Sequence, residues 1–538
     1  MQNTLFFYLA LLLVILFLVM LARRLKISYP IVLVLGGLLL SFIPGLPVIR
    51  VEPELIFLLF LPPLLYEAAW YTSWKEFWKW RRVIGSFAFL IVILTASVIA
   101  FISHALIPGF TLALGFLLGA IISPPDAVSA TSVLKDVSVP KRIVSVLEGE
   151  SLLNDASSLI VFRFALTAVV SGSFVMHEAI TSFLVVIIMG TLTGLGVALV
   201  FYAIHRWLPT TPSMDTVLTF MAPYVMYLTA EKFHFSGVLA VVSGGLFLSH
   251  HSHTILSHLS RLRGANVWAT VGFALNGFIF MLIGLQLPVI VQQLGDYTSL
   301  SEAIKYGLLI SLVVIITRLL CCFGASLFTR FISRYITTAD NNPGWRGPLI
   351  VGWAGMRGVV SLASALAIPL VLSNGEAFPQ RNLILFITFT VILVTLVFQG
   401  LTLPLVIRWV NPPDTDYPLS LPEQDLKVRK KLKNAALTLI QQKYATHVAE
   451  NELIKSLKQR LQSDLAFLDH FQKPETGNTW VDANVENYRE IMADILTHER
   501  HLLHQINKKA EVDEEIVRKH LTLLDLEEEK LRQQFEND

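Results

Sequence analysis

Long apolar segments separated by short polar loops run through the first three quarters of the chain. Thirteen of these segments contain about 17 to 30 mostly apolar residues, enough for a helix to cross the roughly 30 Å of hydrocarbon in a bilayer. The segments cover about residues 4–21, 29–46, 54–71, 83–107, 110–135, 143–171, 179–204, 214–230, 235–250, 265–288, 302–329, 347–372 and 381–408. The pattern predicts an all-α integral membrane protein with about thirteen transmembrane helices.

The polarity of the chain changes near residue 410. About half of all Lys, Arg, Asp and Glu residues follow this point. Beyond it, apolar residues recur at helical spacing over residues 426–471 and 485–535, and a break at residues 473–477 separates the two stretches. We therefore expect a transmembrane domain over residues 1–410 and a helical tail over residues 411–538, with a regulatory or dimer-stabilising role for the tail.

The Lys and Arg residues between the apolar segments predict the orientation of the chain. The first segment has no basic residue before it and is followed by Arg23, Arg24 and Lys26, which indicates a retained span with an outer N-terminus rather than a secretion signal. With that start, the cytoplasmic loops hold sixteen Lys and Arg residues and the outer loops hold four. An odd number of spans then places the tail in the cytoplasm.

The composition narrows the class of protein further. Hydrophobic residues make up 54% of the chain and charged residues 15%, which is too apolar for a soluble domain of this size. The net charge of +2 argues against nucleic acid as a main partner. Cys321 and Cys322 are neighbours in an apolar segment and indicate no disulfide framework. Four histidines within residues 250–258 suggest a solvated loop, with metal binding or pH sensing as the alternative. We expect no metal and no cofactor.

Ionisable residues inside the apolar segments are functional candidates, because a charge within a bilayer is costly to bury. Away from the segment ends there are seven: Glu67, Asp126, Glu150, Asp155, Arg163, Arg318 and Arg357. Four acids and three bases can also neutralise one another. A structural network of ion pairs is therefore the alternative explanation for each of them.

Asp126 lies at a predicted interruption of the fifth segment. Pro124 and Pro125 precede it, and two consecutive prolines cannot donate backbone hydrogen bonds and disfavour a regular helix. A broken span is tolerated only where its freed backbone groups meet protein or a water-filled cavity. A carboxylate at such a break can balance helix-end dipoles or help to bind a cation.

The sixth segment begins with a cluster of oxygen-bearing side chains. Glu150 and Asn154 lie four residues apart, as do Ser151 and Asp155, so the four share one narrow face of a helix. Several oxygen ligands suit a hard monovalent cation better than a transition metal. Because one carboxylate that binds either a cation or a proton, but not both, is sufficient for exchange, Asp155 is the candidate ion carrier.

A second interruption is predicted in the twelfth segment, where three glycines within residues 352–358 surround Arg357. Arginine stays charged, so Arg357 cannot carry the proton. It either pairs with Glu150 or compensates the dipole at a helix C-terminus, and Arg318 competes with it for Glu150. Glu67 either lines the cation path or pairs with Arg318.

The two interrupted segments, the fifth and the twelfth, are seven spans apart. If spans one to six and eight to thirteen form two halves, the interruptions occupy corresponding positions. This arrangement is typical of an inverted-repeat transporter whose site lies near the midplane of the membrane.

Three motifs resemble those of a known family. They are the run from Gly149 to Ala156, the run from Gly355 to Leu362, and the stretch from Ser123 to Asp126. On these motifs the chain resembles the sodium/proton exchangers of the cation:proton antiporter 1 family, in its bacterial branch, over about residues 1–410. The tail resembles no family that we can assign.

The resemblance implies a thirteen-helix inverted-repeat fold with two crossing broken helices, a homodimer, and elevator-like alternating access. It implies that Asp155 carries the ion and the proton and that Asn154 supports it. Asp126, Ser151 and Glu150 would be accessory residues, with Glu150 held by an arginine, and an Asn-Asp pair implies electroneutral exchange. The chain departs from many members at Pro125, where they have threonine, which bears on how the cation is bound.

The sequence thus predicts a secondary antiporter of the bacterial inner membrane that exchanges Na⁺ or Li⁺ for H⁺ and serves cytoplasmic pH and sodium homeostasis. K⁺/H⁺ exchange is the alternative, since oxygen ligands at a flexible break do not define the ion size. A cation channel would need a filter-like repeat, which is not visible. An enzyme would need a metal-ligand cluster or a nucleophile motif, and we expect none. A membrane sensor that does not transport is a further alternative.

Overall fold

The computed structural model describes residues 2–44, 56–135, 137, 139–172, 176–294, 299–335, 340, 343–372, 375–413, 421–445, 451–470, 479–507 and 514–535. These residues are almost entirely helical, which confirms the predicted all-α class. They divide into two compact units, Met1–Asp416 and Tyr417–Asp538.

The first eight helices of the first unit contain the first broken span. They are α1 (Gln2–Leu25), α2 (Tyr29–Leu40), α3 (Leu61–Tyr71, after a π-helical turn at Ile56–Phe60), α4 (Trp74–Gly85), α5 (Val92–Leu106, joined to α4 by a π-helical turn at Ser86–Ile91), α6 (Leu112–Ile122), α7 (Ala127–Leu134) and α8 (Lys141–Ser171).

The remaining helices of this unit contain the second broken span. They are α9 (Met176–Trp207), α10 (Pro212–Lys232), α11 (Gly237–Ile255), α12 (His258–Leu285), α13 (Leu287–Gln293), α14 (Leu300–Ile332), α15 (Arg346–Trp353), α16 (Val359–Leu366), α17 (Arg381–Val394) and α18 (Gly400–Val410, after a π-helical turn at Thr395–Gln399).

Eight helical stretches in the described part of the chain are long and apolar enough to cross a membrane. They are Phe6–Leu25, Trp74–Leu106, Leu112–Leu134, Lys141–Ser171, Ile180–Trp207, His258–Gln292, Leu300–Ile332 and Arg381–Val410. Each of the thirteen predicted segments coincides with a helix or an interrupted helix, but several of these helices are shorter or more polar than the eight. The count of thirteen spans stays a prediction.

The helices of the first unit form two groups. Helices α4–α8 and α14–α17 pack mainly on one another, and α1–α3 pack mainly on α9–α12. Within the first group, α5 and α6 approach closely at Gly119, where an added Cβ would lie 2.4 Å from the carbonyl oxygen of Ala96. Only glycine allows this separation, so α6 is held tightly up to the point where it breaks.

The two broken spans meet at their interruptions. One break separates α6 from α7 and the other separates α15 from α16, as the prolines and glycines of these segments predicted. The backbone amide of Asp126 donates to the carbonyl of Met356 across 2.7 Å. One backbone group of each break is therefore satisfied by the other break.

The second unit consists of two helix pairs. Its helices are α19 (Leu421–Lys443), α20 (Glu452–His470), α21 (Thr479–Asn507) and α22 (Glu514–Phe535). Helix α19 packs on α20, and α21 packs on α22, where Arg500 binds Asp525 and Glu528 at 2.8 and 2.5 Å. Each predicted helical stretch of the tail thus contains two helices, and the predicted break at residues 473–477 lies outside the described residues.

Candidate ion-binding site

Asp126 organises the break between α6 and α7. Its carboxylate caps α7 by accepting hydrogen bonds from the amides of Val128 at 3.0 Å and Ser129 at 3.2 Å. The hydroxyl of Ser129 adds a third bond at 2.5 Å. The first turn of a helix has amides without internal partners, and an Asp at this position satisfies them.

Gly358 lies directly against this carboxylate from the other broken span. A Cβ at Gly358 would come within 2.5 Å of Oδ2 of Asp126. Because no larger residue fits there without moving the carboxylate, the glycine allows the two breaks to cross at Asp126.

Two side chains of α8 bind the backbone of the same break. Oγ of Ser151 accepts a hydrogen bond from the amide of Ala127 at 3.2 Å, and Nδ2 of Asn154 donates to the carbonyl of Pro125 at 2.9 Å. Oδ1 of Asn154 is buried and has no hydrogen-bond partner in the described part of the chain. The structure therefore brings the predicted residues Asp126, Ser151 and Asn154 together around one helix break.

Asp155 lies next to Asn154 and borders a cavity of about 1330 Å³. Its residue surface is 8% exposed, and among the described residues no side chain or backbone group makes a hydrogen bond or ion pair with its carboxylate. Asp126 and Glu67 line the same cavity, and so do Arg23 and Lys26 at the end of α1. The cavity thus connects a buried, unpaired carboxylate to a helix end that the sequence assigns to the cytoplasmic side.

Glu150 is neutralised by Arg318, one of the two arginines considered from the sequence. Both groups are buried, and the contact is bidentate, at 2.7 Å from Nη1 to Oε1 and 2.9 Å from Nη2 to Oε2. Arg318 also donates to the carbonyl of Val351 at 3.3 Å. Arg318 is therefore not the partner of Glu67, which lies on the cavity wall. A place for Glu67 on the cation path stays a prediction.

Arg357 neutralises backbone carbonyls rather than a carboxylate. Its Nε donates to the carbonyl of Ile122 at 2.6 Å, and Nη1 donates to the carbonyl of Gly355 at 2.5 Å. Ile122 is the last residue of α6, so the guanidinium offsets the negative end of that helix. This contact matches the helix-dipole alternative and not the pairing with Glu150.

Arg163 and the four histidines of residues 250–258 are not among the residues that line the cavity. Arg163 binds Glu231 at 2.6 Å on a partly exposed surface. The expectation of a loop at residues 250–258 was wrong in part, because α11 continues to Ile255 and His250 and His251 lie on its last turns. In the described part of the chain, no group of three His, Cys, Asp or Glu side chains can hold a metal.

One buried cluster of polar side chains was not predicted from the sequence. Nδ1 of His205 lies 2.9 Å from Oδ1 of Asp215, and Ser260 donates to Oδ2 of Asp215 at 2.7 Å. The three residues belong to α9, α10 and α12 and lie near helix ends. Charged residues are common there and do not by themselves indicate a functional site. Ser129, which completes the shell of Asp126, was also missed, although its position three residues after a capping Asp is a usable signal.

Comparison with known proteins identifies the family. The family model described as sodium/hydrogen exchanger, transmembrane, matches residues 9–409. An uncharacterised Na⁺/H⁺ exchanger of Mycobacterium tuberculosis is 29% identical over 95% of this chain and 93% of its own length. A sodium, potassium, lithium and rubidium/H⁺ antiporter of Bacillus pumilus is 35% identical over 70% of this chain and 57% of its own length.

Among solved structures, the chain is similar to the sodium proton antiporter of Methanocaldococcus jannaschii. The TM-score is 0.62 at 18% sequence identity, over 77% of this chain and 99% of that one. The likeness shows the antiporter fold, and the family match confirms the resemblance carried by the sequence motifs. The chain is a multi-pass membrane protein that belongs to the sodium/hydrogen exchanger family, a family of cation/proton antiporters.

Proposed function

We propose that the chain exchanges Na⁺ or Li⁺ for H⁺ and that the carboxylate of Asp155 binds either ion in turn. The observation that carries this proposal is a difference between three acids at the broken spans, Glu150, Asp126 and Asp155. Glu150 has a bidentate arginine, and Asp126 accepts three hydrogen bonds. Asp155 has neither in the described part of the chain, so a proton or a mobile cation is needed to balance its charge.

The groups around Asp155 suit a hard monovalent cation. Carboxylate oxygens of Asp155 and Asp126, the hydroxyl of Ser151 and the free Oδ1 of Asn154 are all oxygen donors on or beside the same break. No thiolate or imidazole is among them. Glu67, on the wall of the cavity, lies along the route by which a cation would reach these donors.

Electroneutral exchange follows from a single switching carboxylate. If Asp155 holds one Na⁺ or one H⁺, the site has the same net charge in both loaded states. Asn154 adds no second acid, because its side chain is a neutral amide. One cation for one proton is therefore the stoichiometry that we propose.

The two helix groups of the first unit support alternating access by movement of one group relative to the other, with the broken spans in the moving group. We place the protein in the bacterial plasma membrane as a homodimer, with the N-terminus outside and the tail in the cytoplasm. There it would control cytoplasmic pH and sodium, and the tail would regulate the exchanger or stabilise the dimer.

K⁺/H⁺ exchange is a second candidate. The relative from Bacillus pumilus is named for sodium, potassium, lithium and rubidium. A site built at a helix break has backbone and side-chain oxygens that can shift to fit a larger ion, so the geometry does not exclude K⁺.

Proteoliposomes with an imposed pH gradient test the proposal and separate the candidates. Addition of NaCl or LiCl should collapse the gradient with wild-type protein and leave it intact with Asp155→Asn. The Glu231→Gln variant is the matched control, because it removes an acid outside the cavity and should retain exchange. A response to KCl alone would show that the exchanged cation is K⁺ rather than Na⁺. No response to any cation, from inserted and folded protein, would contradict antiport and favour a sensor.

A further inference from the structure

Helix α19 of the tail has one face that is held by its neighbour. Toward α20, Lys430 pairs with Asp469 at 2.7 Å, Lys433 pairs with Asp464, and Ile440 is buried. This face accounts for the packing of the helix pair.

The opposite face of α19 carries an apolar stripe that is open in the described structure. Val428, Leu432 and Leu439 are 55%, 65% and 53% exposed, and Ala435, which is also exposed, lies between them. The spacing of four, three and four residues aligns these side chains along about three turns of one helix face. An exposed apolar stripe of this kind is typical of a surface that contacts lipid or another protein.

Lysines border the stripe on both sides. Lys427 and Lys431 lie along one edge and Lys443 along the other, and all three are exposed. One acid, Asp425, lies on the same side of the helix, but it is paired with Arg429 at 2.6 Å. The open face is therefore apolar along its centre and basic at its edges.

We propose that this face of α19 lies in the headgroup region of an anionic lipid leaflet. A helix of this pattern buries its apolar centre at the boundary of the acyl chains while its lysines reach outward to lipid phosphates. Helix α18 ends at Val410 and α19 begins at Leu421, and a connection of ten residues spans at most about 36 Å. The helix is thus tethered within reach of the bilayer surface.

The lysines at the edges of the stripe favour anionic lipid, rather than a second copy of the chain, as the partner of this face. If two copies of α19 met through this stripe, Lys427, Lys431 and Lys443 of one copy would face the same lysines of the other, and like charges at an interface disfavour association. The exposed Leu523 and Leu526 of α22 provide an internal contrast. They have lysines (Lys519 and Lys530) as well as acids (Glu527 and Glu529) around them, so that surface lacks the excess of basic groups that borders the α19 stripe.

Spin labels on the full-length chain test the proposal. In a background with Cys321→Ala and Cys322→Ala, one label replaces Ala435 on the stripe, and a control label replaces Leu526 on α22. Each protein is reconstituted in nanodiscs of phosphatidylcholine, alone or mixed with phosphatidylglycerol. Collision with oxygen and with a water-soluble nickel chelate reports whether a label lies in lipid or in water.

The label at position 435 should become more accessible to oxygen and less accessible to nickel when phosphatidylglycerol is present, whereas the label at position 526 stays in water. Combining Lys427→Gln, Lys431→Gln and Lys443→Gln should abolish the difference between the two lipid compositions, while the contacts with α20 remain. Equal nickel accessibility of position 435 in both compositions would overturn the proposal. Strong dipolar broadening between labels of two copies would overturn it too, because a second chain would then cover the stripe.

Discussion

The side-chain amide of Asn154 donates a hydrogen bond to the backbone carbonyl of Pro125 across 2.9 Å. The residue next to the candidate ion carrier is therefore tied to the broken helix that supplies the rest of the site. Asn154 and Asp155 are consecutive residues of α8, and the bond between Ser151 and the Ala127 amide joins the same helix to the same break.

The Asn154→Ala variant should weaken both the fold and the cation site. Removing the amide leaves the buried Pro125 carbonyl without its donor, which costs about 1–3 kcal/mol. We expect a lower thermal unfolding temperature and a higher Na⁺ concentration for half-maximal exchange. Ser243→Ala is the control, because its hydroxyl also donates to a backbone carbonyl, that of Thr191, but away from the site. If Asn154→Ala behaved like this control in the transport assay, the contact would have no role in ion binding.

Breaking the pair of Glu150 and Arg318 should destabilise the protein strongly. Either Glu150→Gln or Arg318→Gln leaves one buried charge without its partner, at a cost of about 3–5 kcal/mol. The double variant removes both charges and should recover part of the loss, which thermal unfolding of purified protein can measure. Combining Glu150→Gln with Arg357→Gln should bring no recovery, because Arg357 binds carbonyls. Recovery with Arg357 instead of Arg318 would contradict the assigned pairing.

Gly358→Ala should disturb Asp126 from across the crossing point. The added methyl group meets the carboxylate at 2.5 Å, and overpacking of this kind costs about 1–3 kcal/mol. We expect slower exchange and weaker Na⁺ binding, measured in proteoliposomes. Gly196→Ala on α9 is the matched control, since a Cβ there meets nothing within 4 Å. Equal transport by the two variants would show that the position of the Asp126 carboxylate is unimportant.

Glu67→Gln should impair cation entry and leave the exchange step intact. The variant removes a negative charge from the cavity wall but no contact of Asp155 or Asp126. We expect a higher Na⁺ concentration for half-maximal exchange at an almost unchanged maximal rate. A large loss of maximal rate at saturating Na⁺ would instead give Glu67 a part in the chemistry of exchange.

Much of the candidate site was predictable because ionisable residues and paired prolines are unusual in segments that cross a bilayer. Asp126 and Asp155 are conspicuous in apolar segments, and two prolines before Asp126 mark the break. The partner of Glu150 was not predictable, because Arg318 is 168 residues away in the chain and Arg357 is an equally charged competitor. The bond between Asn154 and Pro125 also depends on tertiary packing, which brings α8 onto the break.

In the fold, too, features set by the local sequence were predictable, and contacts between distant residues were not. Hydropathy located most helices of the first unit, since each predicted segment coincides with a helix or an interrupted helix. It missed α4 and α13, which lie largely outside the predicted segments. It could not find the contact of His205 with Asp215, because both lie near helix ends, where polar residues are ordinary. Nor could it show that the predicted stretch of the tail at residues 426–471 is divided between α19 and α20, as both halves have the same helical spacing.

Proton release on Na⁺ binding tests the central claim most directly. Purified protein in weakly buffered detergent solution is mixed with NaCl, and the pH change is compared between wild type and Asp155→Asn. If one carboxylate holds either ion, wild-type protein should release about one proton for each Na⁺ bound, and Asp155→Asn should release none. Na⁺ binding without proton release, or equal release by the variant, would contradict the assignment of Asp155 as the shared carrier.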